Sequence, residues 1–171
     1  EEWENHKEPE PLRSEAVIKN RERLKEKQIP YQEFYKVLEF GPKLDQTACN
    51  RLEEALLYMG ILDALVIGEE YKEQVLAMDE GCCDKYRFVQ RQRVERSILD
   101  VLELNDSVND LFFNQRIVGI LENIAYDGEG VTAVSPEGRY QIGVLSGTVT
   151  GTYEAGFIGT KAREKNRCMR I

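Results

Sequence analysis

Only one histidine, His6, occurs in this chain, and it lies in a proline-broken N-terminal stretch. That scarcity argues against Ser-His-Asp and Cys-His nucleophilic machinery, which needs an imidazole base beside the nucleophile. No apolar run reaches the eighteen or so residues that a membrane-spanning helix requires, and "EEWENHKEPE" offers neither a basic start nor an apolar core for a secretory signal. The chain is therefore expected to be cytoplasmic. The four cysteines, Cys49, Cys82, Cys83 and Cys168, include no CxxC pair. Their spacing predicts reduced thiols rather than a disulfide framework or a zinc site. Phosphate-binding loops are missing as well. Gly151 and Gly156 have Walker A spacing, but Phe157 and Ile158 stand where lysine and a hydroxyl residue would hold phosphate and magnesium. No GxGxxG occurs, so neither a nucleotide nor another cofactor is expected in this segment, and an enzyme acting alone is disfavoured.

Charge is present in abundance: 32% of the 171 residues are Asp, Glu, Lys or Arg, with a net charge of -8. Residues 1 to 80 hold 19 acidic and 11 basic side chains, whereas residues 81 to 171 hold 12 of each. Such a chain does not coat nucleic acid indiscriminately, although local basic patches remain available. The glutamates Glu69, Glu70 and Glu73 in "GEEYKE" read as a solvated face rather than a catalytic pair.

Along the chain, "LRSEAVIKNRERLKEKQ" predicts a charged helix that ends before Pro30, with too few apolar residues to bury a broad face. "YQEFYKVLEF" predicts a strand with one buried face. Asp45 predicts an N-cap for a helix in which Ala48, Leu52, Ala55, Leu56 and Met59 share a stripe, and Gly60 predicts its stop. "ILDALVI" predicts a short buried strand. The region from Glu69 to Leu104 reads as mixed. Ser107 and Asp110 resemble a capping box for a helix with Leu111, Val118, Leu121 and Ala125 on one face. "VTAVSPEGRYQIGVLSGTV" predicts a hairpin around its Ser-Pro-Glu-Gly turn, and a basic helix follows Gly159.

This order predicts an α+β (mixed α/β) fold with a small sheet and two core helices between charged terminal helices. The expected boundaries are a helical arm at 1–28, a core at 29–158 and the start of a second arm at 159–171. Both terminal helices look cut rather than capped, as in a domain inserted between the arms of an antiparallel coiled coil, so the chain is expected to be a piece of a longer one.

Two basic clusters are candidates for DNA contact. One is Lys85, Arg87, Arg91, Arg93 and Arg96, interleaved with Tyr86 and Phe88; the other is Lys161, Arg163, Lys165, Arg167 and Arg170. Their alternative reading is ordinary charge on solvated surfaces. Gly143, Gly147, Gly151, Gly156 and Gly159 recur among β-prone residues, where a second backbone can approach closely. They are candidates for an interface across a two-fold axis, with loops and bulges as the alternative.

The runs "EPEPLRSEAVIKNRERLKEKQIPYQEFYKVLEF", "RLEEALLYMGILDALVI" and "GRYQIGVLSG" leading to "FIGTKAREKNRCMRI" resemble the central region of SMC-like ATPases of the bacterial Wadjet anti-plasmid systems, relatives of the MukB and MksB condensins. The resemblance covers most of the chain, with little from Glu69 to Val108. It implies a hinge domain between coiled-coil arms that joins two copies and touches DNA. It also implies ATP-binding heads in distant parts of the polypeptide, where other condensin-like subunits would bind. The competing readings are a stand-alone nucleic-acid-binding module using the Lys85 to Arg96 patch, and an enzyme with a pocket of convergent polar groups.

Overall fold

Helix α1 spans Glu15–Glu26 and begins where the Ser14 hydroxyl accepts a hydrogen bond from the Val17 amide at 3.3 Å. Acidic Glu15 sits in its first turn and basic Arg23 and Lys25 in its last, in accord with the helix dipole. These positions come from a computed structural model that describes residues 9–78, 84–87, 94–105 and 110–169.

The expected single strand at 31–40 is in fact two, β1 (Tyr31–Glu33) and β2 (Leu38–Phe40), separated by a 3-10 turn at Phe34–Val37. The break has a tertiary cause. The Phe34 and Tyr35 amides donate to the carbonyls of Ala64 and Leu62, which pulls the backbone out of extended geometry while burying both rings.

Helix α2 (Gln46–Tyr58) keeps the caps expected of it: the Asp45 carboxylate accepts from the Ala48 amide at 2.8 Å, and Gly60 takes a positive φ of 78°. The Gly60 and Ile61 amides then turn back onto the Leu57 and Leu56 carbonyls, closing the helix end. Leu52, Ala55, Leu56 and Met59 are buried, and Ala48 is half-buried.

Strand β3 (Leu65–Ile67) is buried along its length and lies between β1, antiparallel, and β4 (Tyr86–Arg87), parallel. Helix α3 (Lys72–Met78) presses Val75 onto this first sheet, beside Leu24 of α1. A second sheet pairs β2 with β5 (Leu102–Leu104), Leu38 opposite Leu104 and Phe40 opposite Leu102.

Helix α4 (Leu111–Leu121) buries Phe113, Ile117, Ile120 and Leu121. Of the expected stripe, Leu121 is buried and Val118 half-buried, the side chain of Leu111 lies outside the described residues, and Ala125 is no part of the helix. The chain turns at Glu122 and Asn123, so Ala125 lies in β6 (Ala125–Tyr126) instead. Ser107 falls outside the described residues.

The expected hairpin is present as β7 (Thr132–Val134) and β8 (Arg139–Ile142), and it continues into β9 (Leu145–Thr148). Together they form a third sheet in the order β6-β7-β8-β9. Helix α5 (Thr160–Met169) follows Gly159. The fold is thus α+β, with three small sheets rather than one. A main core lies around α2, α4 and Phe34, and a smaller apolar cluster lies under α1 and α3.

Candidate functional site

Two polar clamps fix the places where the chain joins its body. At the incoming side, Arg13 makes a two-pronged contact with Asp63 at 2.7 and 2.8 Å. Arg21 of α1 reaches Asp63 at 3.0 Å and Asp84 at 2.9 Å, and Asn20 donates to Asp84 and to the Tyr86 hydroxyl. Burial alone would lower the pKa of both guanidiniums. Their hydrogen bonds and the facing carboxylates outweigh it, raising both values and keeping the charges in place. So α1 is a surface helix, as its thin apolar content predicts, but Asn20 and Arg21 are buried beside Leu24 and dock it.

At the outgoing side, the segment from Thr150 to Gly159 lies along α2. Glu53, 0% exposed, accepts from the amides of Gly156 (2.8 Å), Phe157 (3.0 Å) and Ile158 (2.6 Å) and from the Tyr153 hydroxyl (2.5 Å). Glu54 accepts from the Thr150 amide (2.9 Å) and hydroxyl (2.6 Å), and Asn50 from the Ala155 amide (2.9 Å). Desolvation pushes the Glu53 carboxyl above the ordinary glutamate range against the pull of those donors. For Glu54 desolvation also pushes upward, but the Thr150 and Gly151 donors win and hold it below that range. Beyond the segment, Glu39 of β2 accepts from the Thr160 amide and hydroxyl and so caps α5.

The two clamps are neighbours. Phe157 meets the Tyr35 ring edge to face at 5.9 Å, and one cleft of about 390 Å³ is lined by Pro11, Arg13, Val17 and Phe157 together with others. The incoming and outgoing segments therefore reach the body side by side.

The candidate glycines have separate roles. Gly143, Gly151 and Gly159 occupy positive-φ turns. Gly147 of β9 lies under the Tyr140 ring, where a Cβ would come within 2.5 Å of the hydroxyl oxygen. Gly156 gives similar room to Asn166, so the close approaches at both positions are made within this chain. The exposed apolar side chains nearby are Val144 (100%), Leu145 (67%) and Val131 (62%). They gather at one end of the third sheet, since Gly143, beside Val144, donates to the Val131 carbonyl. β9 is the outer strand there, with one edge unpaired among the described residues.

The basic residues are dispersed. Lys85 is exposed and stretches over Gly60, while Arg87 is half-buried on β4 with desolvation lowering its pKa. Arg96 leans on Asp127 near the third sheet, at 3.1 Å from its carbonyl and 3.5 Å from its carboxylate. Arg91, Arg93, Phe88 and Arg170 lie outside the described residues. On α5, Lys161 is exposed and Lys165 pairs with Glu154, but Arg163 is buried and donates to the Phe157 carbonyl; Arg167 is half-buried.

Burial pushes the Cys49 thiol up to about 11, away from reactivity, and Cys168 is an exposed free thiol on α5. Cys82 and Cys83 are outside the described residues. Among the described residues, no group of three or more His, Cys, Asp or Glu side chains is placed to hold a metal ion. Nor is any described helix long and apolar enough to cross a membrane. A shallow cleft of about 460 Å³ on the third sheet is lined by Ser135, Arg139, Gln141, Ser146 and Thr148 among others, with no carboxylate, histidine or cysteine.

Glu53, Glu54 and Asn50 were not among the residues that the sequence singled out. The signal available was a pair of carboxylates set inside the apolar stripe of α2, next to Leu52, Ala55 and Leu56.

No family model matches this chain, and no curated protein does. Among solved structures it is similar to the Pyrococcus furiosus Smc hinge domain with an extended coiled coil, at 17% identity and a TM-score of 0.44. The match covers 91% of this chain and 62% of that one, so the chain spans less than two thirds of its length.

Proposed function

We propose that this chain is a hinge-like dimerisation domain of an SMC-type, DNA-organising ATPase of the anti-plasmid, MukB-like kind. The observation that carries the proposal is the shared cleft, which Pro11, Arg13 and Val17 of the incoming segment line together with the outgoing Phe157. Two arms that reach one body side by side suit a stalk capped by a folded head. In this reading the domain works mechanically, without catalysis of its own, and ATP is bound and hydrolysed elsewhere in a longer polypeptide. Two copies would join through the outer edge of β9, whose backbone, unpaired among the described residues, and exposed Val144 and Leu145 suit isologous pairing with a second β9. DNA contact through Lys85, Arg96 and Lys161 would be weak and salt-sensitive.

The test is analytical ultracentrifugation over a wide concentration range, with a Val144→Asp/Leu145→Asp double variant beside the parent chain. The expected result is a dimer for the parent and a monomer for the variant, whose circular dichroism stays unchanged because both side chains are exposed. A parent chain that stays monomeric at several hundred micromolar overturns the reading.

A further inference from the structure

The segment between β9 and α5 is attached unlike the rest of the body. It belongs to no strand ladder. The backbone amides of Thr150, Ala155, Gly156, Phe157 and Ile158 donate to side chains of α2, and one buried carboxylate, Glu53, accepts from three consecutive amides and the Tyr153 hydroxyl. Its apolar anchoring is confined to its second half, where Ala155 is buried, Ile158 is fully buried in the main core and Phe157 packs on that core against Tyr35; the Gly159 amide also donates to the Leu38 carbonyl of β2. The α5 helix beyond it is strongly polar and is held at its start by Glu39.

We propose that Thr150–Gly159 is a releasable strap, latched by Glu53 and opening as a unit with α5 while α2 and the three sheets stay folded. The arrangement of acceptors supplies the device. Bonds to one carboxylate are lost together when the segment lifts, because each shares the same two oxygens. Opening leaves the ladders of β1 to β9 intact, whereas freeing β3 breaks two ladders and uncovers the buried Leu65, Val66 and Ile67. Local units of this kind open below the free energy of global unfolding. The strap's own hydrogen bonds carry this inference, whichever way the self-association experiment falls.

Hydrogen exchange on the full chain under native conditions, at increasing denaturant, tests it. The amides of Ala155 to Ile158 are expected to exchange together, about a hundredfold faster than those of β3, with a weaker dependence on denaturant. Glu53→Gln places an amide among donors and is expected to speed strap exchange roughly ten- to hundredfold while leaving β3 unchanged. Tyr153→Phe removes one donor only, keeps the ring and serves should the first variant not fold; about a fivefold local increase is expected. Strap and β3 amides that share one protection and one denaturant slope overturn the proposal, as do variants that speed both regions equally.

Discussion

Asp84 concentrates much of the incoming clamp in one side chain. Its side chain is 2% exposed, and it holds Arg21 and Asn20 while also accepting from the Lys85 amide. Arg21 keeps Asp63 when Asp84 is removed, but Asn20 and one side of the guanidinium lose their acceptor, so Asp84→Ala is expected to cost about 1–3 kcal/mol, read as a lower urea midpoint at unchanged slope. Glu53 and Glu54 give opposite pH responses. Glu53, whose folded value is raised, contributes stability that is full below the ordinary glutamate range and is lost as pH rises through the raised value. Glu54, whose value is depressed, contributes above the ordinary range and loses it as pH falls through the depressed value. Urea midpoints taken from about pH 3 to about pH 8 should show both limbs. Glu53→Gln flattens the upper limb and Glu54→Gln the lower. None of these side chains was legible beforehand, because a carboxylate's surroundings depend on what the chain brings back: Asp84 meets Arg21 across 63 positions and Glu53 meets Ile158 across 105.

Elements whose signals are local came through in the sequence. Asp45 and Gly60 bound α2 through contacts made within a turn of each, and the turn before Arg139 closes its hairpin in the same way. The two strands read as one at 31–40 show the opposite case, since the carbonyls of Leu62 and Ala64 make the break and composition holds no trace of them. The cap of α5 is equally remote, supplied by Glu39 from 121 positions upstream. Glu39→Ala is expected to cost about 1 kcal/mol and to fray the first turn of α5, seen as faster amide exchange confined to Thr160–Arg163. A loss spread evenly through the body would show instead that Glu39 supports β2.

At the scale of the whole molecule, the α+β class followed from the alternation of periodicities, but the exposed apolar end of the third sheet did not. Of the glycines offered for a two-fold interface, Gly147 and Gly156 make room for Tyr140 and Asn166 of the same chain. The exposed side chains at that sheet's end, Val144 and Leu145, stand out only once neighbouring apolar residues are seen to be covered. The body is expected to self-associate through β9, seen as a concentration-dependent rise in sedimentation coefficient. If it holds, the paired sheets form one continuous surface across the axis.

The meeting of Phe157 with Tyr35, in a cleft that Arg13 also lines, bears on how a hinge of the proposed kind would carry load. Traction entering through Arg13 and leaving through Phe157 would fall on the Arg13–Asp63 pair and on the hydrogen bonds to Glu53. Those polar links, rather than the strand ladders, would then take the first strain.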